Sequence, residues 1–179
     1  MPRSAAQPQD SSTAARLRDL AAPAKRAFGD EVTRQIRLHH RRRLLEASER
    51  FVYLENQFLW SPEISAVLAD KIARPPSPGF RVLVVLPVKP NSGVDDTRGV
   101  LGELLEADAG AGRIFAATLF ARAGNRADPI YVHAKVGIVD DRWLTIGSAN
   151  LNEHSLFNDT ELNIVTHDPQ LARETRLRL

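Results

Sequence analysis

The segment Phe80–Pro87, FRVLVVLP, is an almost unbroken apolar run of strand length. A strand with one wet face alternates apolar and polar residues, so an unbroken run marks a strand buried on both faces. Such a strand needs packed layers on either side of its sheet. The neighbouring sequence supplies candidates. Residues 61–74, SPEISAVLADKIAR, open with Ser61 as N-cap, Pro62 at the first helical position and Glu63 in the first turn, and predict a helix. Residues 95–109 are amphipathic through Val100, Leu101, Leu104 and Leu105 and predict a second. Further strands are expected at 51–56, 113–120, 130–140, 142–147 and 160–166, with 121–129 a loop and Asp140–Asp141 a turn. Asp168 caps a closing helix. Strands alternating with helices imply an α/β fold, a layered mixed β-sheet flanked by helices.

Upstream, residues 1–12 are rich in Pro, Gln and Ser and read as disordered, and 13–27 as a short helix. A helical pattern runs from Glu31 to Glu49, with Val32, Ile36, Leu44 and Ala47 near one face. The expected division is therefore 1–30 as a disordered or partly helical segment and 31–179 as one half-domain. Formal net charge is +2, but residues 1–50 hold 11 Lys/Arg against 6 Asp/Glu, so the basic excess is N-terminal. Cysteine is absent, which excludes disulfides, thiolate metal sites and cysteine catalysis. No run approaches the ~18 apolar residues of a membrane span, and the first residues lack the apolar core of a signal peptide. A cytoplasmic protein is the expectation.

The residues that carry chemistry lie between Tyr131 and Asn150. His133, Lys135, Asp140, Gly147, Ser148 and Asn150 fit the pattern His-x-Lys-x4-Asp-x6-Gly-Ser-x-Asn. Six fixed residues match by chance in roughly one register in 10⁸. On a strand His133 and Lys135 share a face, about 7 Å apart. Lys135 and the Asn150 amide can neutralise and hydrogen-bond the non-bridging oxygens of a phosphodiester, more strongly as charge builds in the transition state. His133 can serve as nucleophile or proton donor near neutral pH. Gly147 allows close backbone approach, and Ser148 adds a hydroxyl donor. Glu161, on the next strand, is placed to orient His133 through its other ring nitrogen. The sequence shows no strong metal-ligand cluster, and this chemistry needs neither metal nor cofactor.

Other residues have plainer readings. Asp140 closes the hairpin turn rather than reacting. His39, His40 and Arg41–Arg43 form a solvated helix face. Phe58, Leu59 and Trp60 are core packing before they are a lipid pocket. His154 and His167 lie in polar loops and take no role.

The whole stretch YVHAKVGIVDDRWLTIGSANLNEHSLFNDTELNIV resembles the second, C-terminal motif of two-motif phospholipases D, the HKD family. VYLENQF, residues 52–58, resembles the "ENQ" strand that precedes that motif in eukaryotic and actinobacterial members. The resemblance runs from about Glu31 to the end. It implies a two-step mechanism in which one motif's His attacks phosphorus to give a phosphohistidine and the other's protonates the leaving alcohol. Water or another alcohol then resolves the intermediate. It places His133, Lys135, Ser148 and Asn150 in the active site, makes Glu161 the His-orienting carboxylate, and points Gln57 at the same pocket. The first motif's His is usually the nucleophile, so His133 resembles the general acid/base.

The family's site needs two motifs, and this chain has one. Of its four lysines, Lys25, Lys71, Lys89 and Lys135, only Lys135 has a His two residues before it. The second motif then comes from a homodimer mate or a separate chain, or the half-domain is inactive. The expected substrate is a phospholipid, with peripheral contact at a membrane surface. A nuclease or a cardiolipin synthase-like transferase uses the same pocket chemistry. Low net charge with no basic stripe at the motif disfavours nucleic acid, and the lack of a membrane span disfavours an embedded synthase.

Overall fold

A computed structural model describes residues 41–179. The expectations for 1–30, and the helix before Arg41, lie outside the described residues. Residues 41–46 are helical. There follow β1 (Phe51–Glu55), α1 (Pro62–Ala73), β2 (Arg81–Val85), α2 (Val94–Asp108), β3 (Ile114–Ala117), β4 (Phe120–Ala123) and β5 (Arg126–Pro129). The chain continues with β6 (Val136–Val139), β7 (Trp143–Gly147), a π-helical turn at His154–Asn158, β8 (Asn163–Thr166) and α3 (Pro169–Arg178).

Six strands form one sheet in the order β3-β2-β1-β6-β7-β8. β1, β2 and β3 are parallel, as helical crossovers require, and β6, β7 and β8 are antiparallel neighbours. One face is closed by a core in which Val52, Leu54, Val82, Val84 and Val139 of the sheet meet Ile64, Leu68 and Ile72 of α1 and Leu104 of α2. The mixed, layered α/β architecture is therefore as the alternation of elements implied.

The opposite face is different. α3 packs there through Ala172 against Ile138 and Leu144, and β2 alternates, with Val82 and Val84 buried and Arg81 and Leu83 exposed. β2 is thus covered on one face throughout and on the other only from Val85 onward, so its apolar run overstates the burial at Arg81 and Leu83 alone. Asp168 caps α3 as expected, accepting from the backbone N–H groups of Gln170 and Leu171. Arg176 fastens the helix with two hydrogen bonds to Asp141, at 2.6 and 2.8 Å. That guanidinium, foremost, holds the Asp141 carboxyl below its ordinary range. Ser61 stands at the N-cap of α1, but its hydroxyl donates to Glu63 Oε2 at 2.8 Å rather than capping the backbone.

Two further expectations give way. Residues 121–129 are not a loop: β4 and β5 make a separate antiparallel hairpin closed at Gly124–Asn125, with Gly124 at φ +59°. Gly supplies the left-handed conformation that two-residue hairpin turns favour. The strand expected over 130–140 is reduced to Val136–Val139. β1 ends at Glu55, which pairs with Val136, so residues 130–135 have no ladder partner on that side.

Candidate active site

The site lies at the edge of the sheet where the parallel strands β1 and β2 reach their carboxyl ends, the common place for a pocket in open α/β sheets. β6 runs antiparallel to β1, so its entrance, Lys135, comes to the same edge. So do the exit of β7 at Gly147–Ser148 and the entrance of β8 after Glu161–Leu162.

Lys135 is buried and points inward. Its ammonium donates to the His133 carbonyl at 2.7 Å and to Gln57 Oε1 at 3.3 Å. An ammonium has three donors, so one is left for a ligand. Burial lowers the Lys135 pKa below the ordinary lysine value, and the nearby Glu161 charge partly restores it. Gln57 is buried as well, and its amide nitrogen donates to Tyr131 Oη at 2.8 Å and to Asn91 Oδ1 at 3.0 Å. His133 stays exposed at the surface, its ring stacked near that of Tyr131 with centroids 6.4 Å apart. Irregular backbone at 130–135 lets the imidazole face solvent while the ammonium turns in.

The loop that carries Asn150 is pinned from three sides. Asn56 Oδ1 accepts from Leu151 N and from Phe58 N, each at 3.2 Å. The Leu151 carbonyl accepts from Trp60 N and Ser61 N. Arg41 donates to the Ala149 and Asn150 carbonyls at 3.1 and 3.2 Å. Arg41 is therefore a half-buried clasp on the loop, not part of a solvated face; Arg42 and Arg43 are exposed. Asn150 is buried, and its Oδ1 has no hydrogen-bond partner among the described residues. A buried unmet acceptor costs about 1–3 kcal/mol, so this atom is ready for a donor that the described residues do not supply.

Ser148 donates its hydroxyl to Glu161 Oε2 and accepts from Leu162 N at 3.0 Å. The expected contact of Glu161 with His133 is not formed; the carboxylate is engaged by Ser148. Glu161 also precedes β8 instead of lying on it.

Asp140 is structural, and its reach is longer than a hairpin turn. Its carboxylate accepts from the backbone N–H groups of Glu49, Arg50 and Phe51 at 2.7, 2.8 and 2.8 Å. That clamp fixes the start of β1 and hence where Gln57 arrives. Gly147 meets its expectation of close approach: a Cβ added there would lie 2.6 Å from Asn163 Cα and collide with the Leu162 carbonyl oxygen. Gly147→Ala should lower stability by about 1–3 kcal/mol, read as a shifted urea midpoint.

Phe58 and Leu59 are buried, in line with core packing, while Trp60 is half-buried with its ring edge-on to His154 at 5.8 Å. His167 packs on Trp143. Sequence reasoning passed over Tyr131 and Asn91. Tyr131 was visible as the first member of the alternation Tyr131, His133, Lys135. Asn91 carried no local signal, because a loop far along the chain brings it to Gln57.

Comparison with known proteins bears on this arrangement. The family model described as "Cardiolipin synthase, PLD-like domain" matches residues 42–178. Phospholipase D zeta 1 of Arabidopsis thaliana is 28% identical over 174 aligned residues, covering 73% of this chain and 16% of that one. Human phospholipase D1 is 29% identical over 169, covering 71% and 16%. The chain thus spans less than a fifth of the length of these relatives. NucT from Helicobacter pylori shares the fold with a TM-score of 0.64 at 18% identity, over 81% of this chain and 86% of that one.

Proposed function

This chain belongs to the phospholipase D superfamily, and from that premise we propose that it is one catalytic half of a phosphodiesterase acting on phospholipid head groups. The observation that supports this best is the buried Lys135 ammonium bonded to Gln57 Oε1 at 3.3 Å, at the sheet edge to which the segments carrying His133 and Asn150 also come. The substrate phosphate is held by Lys135, with Asn150, Ser148 and Gln57 around it. Positive charge and fixed amide dipoles in a partly dry site stabilise the charge that builds on the phosphoryl oxygens. One histidine of the pair attacks phosphorus, forming a P–N bond as the P–O bond to the head-group alcohol breaks, and the other histidine gives that alcohol its proton. Water or a second alcohol then displaces the nitrogen. His133 takes the acid/base part, and Glu161 supports the site through Ser148 and through its charge near Lys135.

The second histidine comes from a second copy of this chain or from a chain carrying the first motif. Two observations favour a second copy. This chain covers 86% of the NucT chain, so a unit of this size is nearly the whole of a solved relative. Ile146, Leu162 and Ile164 also form an exposed aliphatic strip beside the motif, with Ile146 and Ile164 in register across β7 and β8. The test is choline release from phosphatidylcholine, with phosphatidylalcohol formed on adding a primary alcohol, alongside light scattering. Turnover that tracks a dimer supports the reading; a folded dimer with no turnover of any diester contradicts it.

A phosphatidyl transferase or a nuclease is the second reading; the transferase is favoured by the fold shared with a phosphatidylserine synthase from Haemophilus influenzae at TM-score 0.55. Single-stranded DNA cleavage exceeding lipid cleavage would select the nuclease.

The lowered Lys135 pKa gives a pH prediction. The ammonium binds the anion, and burial makes it lose its proton at a lower pH than an exposed lysine does. Affinity for orthovanadate should therefore fall, as pH rises, below the ordinary lysine range. Lys135→Arg, which stays charged, should remove that alkaline limb even where bidentate geometry weakens binding overall. An unchanged limb would exclude Lys135 as its source.

A further inference from the structure

The β4–β5 hairpin leaves the same edge of the sheet as the site, directly after β3 and with three residues between its end and His133, where the motif begins. All eight of its strand residues are exposed. A two-stranded hairpin that packs on nothing is marginally stable in water, so this one lacks the usual structural reason for its position.

Its two faces are unlike. The register pairs Phe120 with Pro129 and Arg122 with Ala127, so these four share one face; Ala121, Ala123, Arg126 and Asp128 share the other. The second face is zwitterionic, with Arg126 3.9 Å from Asp128. The first carries an aromatic ring 54% exposed, two small apolar side chains and one cation, and no acid. Among the described residues the Arg122 guanidinium reaches only the Gly124 carbonyl, at 3.5 Å. Exposed Tyr131, Ile130 and Val88 widen the apolar surface near its base. Aromatic and aliphatic groups beside an unpaired guanidinium suit the head-group level of a bilayer bearing anionic lipid. The aliphatic strip at Ile146, Leu162 and Ile164 carries no charge and suits a protein partner instead.

We propose that the face of Phe120, Arg122, Ala127 and Pro129 is a docking surface for an anionic phospholipid bilayer, and that seating it there brings His133 to the head groups. The inference rests on the reading of the substrate as a phospholipid. It identifies the surface through which that substrate is reached.

The test is co-sedimentation of the chain with sucrose-loaded vesicles of phosphatidylcholine and phosphatidylglycerol in equal parts, against phosphatidylcholine alone. The wild type should bind the mixed vesicles more tightly, and high salt should weaken that binding. Phe120→Ser with Arg122→Ser should reduce affinity roughly 25-fold, about fivefold from the cation and about fivefold from the phenyl group. The control, Arg126→Ser with Asp128→Ser, leaves net charge unchanged on the other face and should bind as the wild type does. Circular dichroism checks folding of both. Equal binding to both vesicle types, full binding by the first variant, or an equal loss in the control would overturn the proposal. So would a first variant that dissociates an oligomer in light scattering while keeping vesicle affinity, because the face would then belong to a second copy. Hydrolysis of the soluble diester bis-para-nitrophenyl phosphate separates this from catalysis. Both variants should cleave it at the wild-type rate. Vesicle binding without any diester cleavage would remove the catalytic reading and leave the docking surface standing.

Discussion

His133→Ala should lower diester turnover by about 10² to 10⁴-fold while leaving the urea midpoint within error of the wild type. That range is what a positioned acid or base contributes. The two parts of the expectation have separate causes. The imidazole is exposed, with its ring stacked 6.4 Å from that of Tyr131, so its removal opens no buried cavity. The rate loss follows because no other described imidazole lies in the site: His154 meets Trp60 and His167 meets Trp143. His133→Ala with turnover retained would take the proton-transfer role away from this residue. Lost turnover with a large stability loss would make His133 a structural residue. With the proposed site taking one half from each of two chains, mixing the variant with wild type should give activity that falls with the fraction of variant chains.

Asp140→Ala should destabilise the fold by about 3–5 kcal/mol, the largest single loss expected outside the apolar core. One buried carboxylate collects three backbone donors at the entry to β1, and hydrogen bonds to a charged acceptor are individually worth about 1.5–3 kcal/mol. Asp140 itself sits at φ +56°, as does Asp141. Left-handed backbone is tolerated better by Asp than by Ala, so the substitution adds strain to the lost bonds. Asp140→Asn keeps one acceptor oxygen and should lose less. Denaturant unfolding of the three proteins checks the order. If Asp140→Ala unfolded at the wild-type midpoint yet lost turnover, this aspartate would belong to the chemistry.

The division between what the residues foretold and what they hid follows from range. Local signals worked where the physics is local. Asp168 caps α3, Pro62 begins α1, and the alternation of elements gave the mixed α/β sheet. Gly147 was recognisable because a strand leaving a sheet beside another backbone has no room for a Cβ. Failures came where a distant segment decides the outcome. The strand at 130–135 reads well by composition, yet β1 ends at Glu55 and gives it nothing to pair with. Phe80–Pro87 has the composition of a strand covered twice and is covered twice only from Val85 onward, because α3, far along the chain, packs on Ile138 and Leu144 of β6 and β7. Arg41 looked solvated because its partners, the Ala149 and Asn150 carbonyls, stand over a hundred residues away. The turn at Gly124–Asn125 is the local exception, since a Gly-Asn pair between two short segments is a hairpin signal even where, as in FARA and RADP, the segments are not apolar throughout.

The site divides the same way. Spacing announced His133, Lys135, Ser148 and Asn150 as a set. Gln57 came through the resemblance of its strand, and in the structure it bonds to Lys135. Tyr131 and Asn91 complete that network, while the Glu161 carboxylate meets Ser148 and not the imidazole.

Everything proposed for catalysis requires that the inward ammonium, the loop carboxamide and the outward imidazole address a single anion. A crystal of the chain soaked in tungstate tests that arrangement by direct observation. The anion should lie within hydrogen-bonding distance of Lys135 Nζ and the Asn150 side chain, with a ring nitrogen of His133 facing it. Tungstate bound elsewhere while these three groups stay ligand-free, or an anion reached by Lys135 with His133 turned away, would contradict the account.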